Sequence, residues 1–151
     1  MAWRKPRSPE DTIFYPGSME VEEYVYTPGL HGEEMAKALK QGKILGMRCG
    51  QTLIVPPLTF CPDGSPGELV TVESTWRVVT YTIVYDSIEG EPLEEPEIIA
   101  VLRPDGFQGG LIHRVRASPE SVYIGMPVRP VFRPVEERTG GITDIAYFEP
   151  F

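Results

Sequence analysis

The stretch 47–65, MRCGQTLIVPPLTFCPDGS, constrains this chain more than any other. It carries both cysteines of the sequence, Cys49 and Cys61, each followed by a residue suited to a tight turn, Gly50 and Pro62. Between them the apolar run Leu53-Ile54-Val55 is stopped by Pro56-Pro57. Two cysteine turns around a β-prone segment outline a zinc ribbon, whose metal takes four ligands from two knuckles. Each knuckle here offers one thiolate. Two ligands do not close a structural zinc site, so the expected state is a degenerate ribbon without metal, with Cys49 and Cys61 as its remnants. The competing reading is two unrelated buried cysteines in a loop, because free cysteine is among the most buried residue types.

At 151 residues the chain has room for one cored domain with a small appendage. No run approaches the roughly 18 apolar residues of a membrane span. The opening MAWRKPRSPED is basic, but no apolar stretch of a signal peptide follows it, which points to a cytoplasmic protein. A net charge of −8 weighs against a general nucleic-acid binder, which needs a basic footprint. The sequence has no asparagine and 16 prolines, a composition that leans toward a thermophilic source.

Residues 1–29 show no sustained period and read as an aromatic arm, with Trp3, Phe14, Tyr15, Tyr24 and Tyr26 as its packing groups. Residues 30–68 hold a small helix, expected over 32–41, and the degenerate ribbon hairpin. Glu33 and Glu34 fall in the first turn of that helix, Lys37 and Lys40 near its end, and Gly42 just past it. His31 precedes it as a cap or loop residue. From 69 to 151 short strands alternate with Gly and Pro, the pattern of an all-β unit.

Within that unit, WRVVTYTIVY (76–85) alternates Val78, Thr80, Thr82 and Val84 against Val79, Tyr81, Ile83 and Tyr85, both faces being largely apolar. Residues 89–97 read as an acidic, proline-bearing loop, 98–102 as a strand and 103–106 as a turn. Leu111, His113 and Val115 share one face of the next strand, and Ile112, Arg114 and Arg116 the other. Strands at 128–132 and 142–148 close the set. A mainly β protein follows: a small N-terminal helix and ribbon hairpin, then a C-terminal OB-fold barrel.

Taken in order, LKQGKILGMRCG, VPP, FCPDG, TYTIVY, IGMPVRPVF and GGITDIAYFEP resemble the DUF35 family over roughly residues 24–151. Its members are acyl-CoA-associated proteins with an N-terminal helical part, a rubredoxin-like zinc ribbon and a C-terminal OB-fold. GGLIHRV and GGITDIAYFEP look most like the archaeal branch. Members usually carry C-x-x-C-G before the Pro-Pro pair and C-P-x-C after it. Here the first knuckle is shortened and Gly64 stands where the last cysteine would be. In an intact ribbon the two knuckles face one another. The resemblance therefore leaves Cys49 and Cys61 either bridged as a disulfide or free as thiols, should the shortened knuckle pull them apart.

The resemblance also implies a role beside thiolase-fold enzymes, of the acetoacetyl-CoA thiolase or hydroxymethylglutaryl-CoA synthase type. There the small subunit is a scaffold helping to hold acyl-CoA while its partner supplies the nucleophile. The residues themselves show no phosphate-binding glycine loop, nucleophile elbow or H-E-x-x-H motif, so no catalytic residue is expected. His113, Arg114 and Arg116 are the candidate contacts to coenzyme A or acyl-CoA, the arginines offering charge to phosphates. The plain alternative for His113 is a hydrogen-bonded histidine in the barrel wall. A different class, a nucleic-acid-binding OB protein, would use Trp76, Tyr81 and Phe107 as stacking platforms.

Overall fold

The computed structural model of the chain describes residues 27–151. Apart from Thr27–Gly29, the expected aromatic arm lies outside the described residues. Helix α1 spans Gly29–Lys40, starting earlier than expected, so His31 sits inside its first turn and Glu33 and Glu34 beyond it. These acids hold Lys37 at 2.9 Å each instead of capping the helix. Ala38 and Leu39 bury one face, and Gly42 ends the helix as expected, with φ 74°. A guanidinium nitrogen of Arg138 donates to the Lys40 carbonyl at 3.2 Å, which satisfies an orphan acceptor of the last turn and ties the helix to the barrel.

Nine strands follow: β1 Leu45–Cys49, β2 Thr52–Val55, β3 Glu68–Thr71, β4 Trp76–Asp86, β5 Pro92–Pro104, β6 Phe107–Gly109, β7 Leu111–Val115, β8 Pro127–Phe132 and β9 Ile145–Pro150. β4, β5, β7, β9 and β8 close into a five-stranded barrel in that order. The OB-fold expectation holds. The other four strands form a separate sheet in the order β3-β1-β2-β6. β3, expected at the start of the barrel unit, instead pairs antiparallel with β1, opposing Met47 to Leu69. β6, in no expected strand, lies within DGFQGG just after the expected 103–106 turn and pairs parallel with β2. Cys49 and Cys61 form a disulfide with their Cα atoms 5.6 Å apart, which settles the two alternatives left by the sequence.

Two strands differ from the pattern reading. The acidic segment 89–97 is mainly strand, because β5 begins at Pro92, and only the tip around Ser87–Glu91 is a turn. In β4 the register slips between Val78 and Thr80, so Val79 has no opposite residue on β5. This bulge breaks the period-2 alternation: Trp76 and Val78 point inward before it, Tyr81 and Ile83 pack on the core after it. The closing strand starts at Ile145, since Ile142–Asp144 is a 3₁₀ turn.

One apolar core serves both sheets. Leu39 of the helix, Val55 of β2 and Phe107 of β6 join Trp76, Leu102, Val115, Val128 and Phe148 of the barrel. The edge of the Trp76 ring meets Phe148 at a centroid distance of 5.3 Å, a favoured aromatic arrangement.

Candidate functional site: a cleft beside β7

β7 is bonded along its length to β5 but reaches β9 only through Val115, opposite Phe148. Below that pair the two strands part, leaving a cleft of about 430 Å³. Its walls are Ile99, Ile112, Ile142 and Ile145, with Arg114 and Arg133 at its sides and His113 within. Ile112 is 71% exposed and Ile142 43%, so the apolar wall is open to solvent. A second groove of about 290 Å³ shares Arg114 and Ala146 with the first and adds Arg116, Tyr147, Glu95 and Glu97.

The three predicted contacts are divided by strand alternation, as the sequence indicated. His113 turns inward, half-buried, with its ring 5.7 Å from that of Phe148. Its Nδ1 accepts the backbone N–H of Arg114 at 2.9 Å. Burial pushes its pKa below the usual imidazole value, and the Arg114 charge adds to this, while backbone groups of Ile142 and Ile145 oppose it. Neutral imidazole is the resulting state near pH 7.

Arg114 and Arg116 turn outward. Arg114 pairs with Glu97 at 3.2 Å, the arginine side chain being largely in solvent and the glutamate half-buried. Arg116 lies over the Tyr147 ring, 5.0 Å from its centroid, and donates to its hydroxyl at 3.1 Å. His113 and Arg114 therefore meet at the first cleft and Arg114 and Arg116 at the second. Neither of these two clefts is lined by all three.

Arg133 was not legible as a site residue. It follows β8 in a polar loop and reaches the cleft because its Nε donates to the Thr143 carbonyl at 2.8 Å. That loop is held by Asp144, whose carboxylate is buried and accepts the N–H groups of Thr139 and Gly140, both at 2.8 Å. Burial raises the Asp144 pKa, but the bonds from Thr139 and Gly140 outweigh it and hold the carboxyl below the usual range. The signal for this arrangement lies in the GG-x-x-D pattern, which suits an acid-capped turn but says nothing about which strand it faces.

The comparisons fit this architecture. The family described as the ChsH2 C-terminal OB-fold domain matches residues 70–133. A curated relative from Methanocaldococcus jannaschii, described as a DUF35 domain-containing scaffold protein, is 30% identical over 101 residues. The match covers 62% of this chain and 70% of that protein. The chain belongs to the DUF35 family. A crystal structure of a DUF35 protein of unknown function from Sulfolobus solfataricus superposes with a TM-score of 0.61 at 30% identity, covering 68% of this chain and 78% of that one. The DUF35 fold is also shared with a chain of the Ltp2-ChsH2(DUF35) aldolase, at a TM-score of 0.59 and 22% identity over 82% of this chain and 98% of that one.

Among the described residues of this DUF35 chain, no three His, Cys, Asp or Glu side chains converge as a metal site, and no helix is long and apolar enough to cross a membrane. Trp76 and Phe107, which would have to stack on bases in a nucleic-acid reader, are buried in the core, and Tyr81 packs against it.

Proposed function

We propose that this chain is a non-catalytic scaffold subunit that binds a thiolase-fold enzyme of acyl-CoA chemistry and contributes the β7 cleft to its acyl-CoA site. The observation that carries the reading is the makeup of that cleft: an isoleucine wall flanked by the guanidinium groups of Arg114 and Arg133. An amphipathic anion, with an apolar chain and phosphates, matches both halves. His113, neutral and inward, lines the apolar part, and Arg116 extends the cationic rim along the neighbouring groove. The scaffold description of the Methanocaldococcus relative supports the same reading. The alternative of a free-standing nucleic-acid reader is disfavoured by the burial of its stacking groups and by the acidic β4–β5 hairpin.

Purification from the native cell followed by mass spectrometry tests the partner. A thiolase-type or synthase-type enzyme in stoichiometric amount supports the proposal, and co-purifying nucleic acid overturns it. In the assembled complex, His113→Ala combined with Arg114→Ala is expected to weaken acyl-CoA binding in a direct titration. Unchanged affinity would remove both residues from the site.

A further inference from the structure

The β4–β5 hairpin outruns the barrel that carries it. β5 is backed by β7 only as far as Ile98, opposite Val115, and β4 is backed by β8 only at Trp76 and Arg77. Past those points the two strands are joined only at Val84–Glu97 and Asp86–Pro92, with residues 93–96 bulged out of the ladder, and neither strand has another neighbour. The result is a projecting two-stranded ribbon with both edges unpaired, a unit that is marginal in water when left uncovered. Its tip exposes the whole side chain of Ile88, and Tyr85 is 57% exposed nearby.

The ribbon carries charge of one sign. Between Arg77 and Arg103 the sequence has six acids (Asp86, Glu89, Glu91, Glu94, Glu95 and Glu97) and no Lys, Arg or His. Only Glu97 is in an ion pair among the described residues, and it lies at the base, against Arg114. The acids do not converge as a metal site, so a small cation does not account for them. An exposed apolar anchor ringed by charge of one sign is the layout of a protein-binding hot spot and its rim.

We propose that this ribbon is the docking arm through which the chain grips its enzyme partner. Ile88 and Tyr85 enter an apolar pocket, and the surrounding carboxylates meet lysines and arginines on its rim. The inference rests on the scaffold reading above and names the surface and partner chemistry which that reading leaves open. Uniform negative charge would speed encounter with a basic face and reject acidic surfaces, including the chain's own.

The test uses the full chain and the thiolase-fold enzyme that co-purifies with it, titrated at low and high salt. Ile88→Ser is expected to raise Kd by about tenfold or more, with the salt dependence kept. Glu89→Lys, Glu91→Lys and Glu94→Lys together are expected to slow association and abolish its loss with added salt. Hydrogen exchange on the unmodified chain should show protection of the ribbon amides on binding, a readout independent of any variant's folding. Wild-type affinity and salt dependence in both variants, or an unprotected ribbon in the complex, would overturn the docking arm while leaving the scaffold role standing. A chain that associates with no acyl-CoA enzyme would overturn both.

Discussion

The backbone N–H of Arg114 donates to the imidazole Nδ1 of His113, its own neighbour on β7, at 2.9 Å. With Nδ1 occupied as an acceptor, the single proton of the neutral ring belongs on Nε2. Ring-nitrogen chemical shifts should report that tautomer. The titration midpoint should fall below the ordinary value of about 6.5, because burial disfavours the cation. A lowered folded pKa means that the unfolded chain binds the proton first. The stabilisation is thus complete above about pH 6.5 and is lost as pH falls through the folded value. His113→Gln should flatten that part of the stability profile.

Asp144 anchors the loop that forms one wall of the cleft. Asp144→Ala leaves the N–H groups of Thr139 and Gly140 without their acceptor, and chemical denaturation should show a loss of about 1.5–3 kcal/mol. The native carboxyl is held below its usual pKa, so its contribution is present above about pH 4 and lost as pH falls through the folded value.

The disulfide closes a loop between positions 12 apart in sequence. In the chain-entropy account such a bridge stabilises by about 3 kcal/mol, so Cys49→Ser with Cys61→Ser should lower the denaturation midpoint accordingly. Thiol counting on the unfolded, unreduced chain should find none free; two per chain would contradict the bridge.

Gly109 sits at φ 82°, where a Cβ would run into the carbonyl oxygen of Val55. Gly109→Ala meets both a left-handed backbone and that close approach, and should cost more than about 1–2 kcal/mol. Hydrogen exchange should quicken first along β2 and β6, the strands this contact joins.

Local signals carried much of the architecture. The alternation of LIHRV placed Leu111, His113 and Val115 inward and Arg114 outward, because a half-buried strand with no bulge keeps its period. Val79 shows the limit: one unpaired residue reverses the faces downstream, and nothing in a run of β-formers marks where it falls. The β2–β6 pairing was hidden for a related reason. The three residues of β6, in a stretch that includes Gly106, Gly109 and Gly110, show no strand pattern until a distant strand supplies the ladder partners. Charge patterning failed at 92–97, where acids and prolines suggested a loop, yet an edge-exposed ribbon accepts both. The cleft was half legible. His113 and Arg114 come from one strand, whereas Arg133 depends on a long-range turn.

The parallel pairing of β2 with β6 also sets an order of assembly. Leu53, Ile54 and Val55 meet Phe107, Gln108 and Gly109 only after β4 and β5 have been made, since those strands lie between them in the chain. On a ribosome the cysteine-bearing sheet would wait, with the outer edge of β2 bare, until two of the five barrel strands had emerged. Non-local contacts of this kind slow folding and leave edges open to other chains. A fragment cut between the sheet and the barrel would therefore not give two folding halves. The N-terminal piece would lose its fourth strand, and β6 in the other piece would lose its ladder partner.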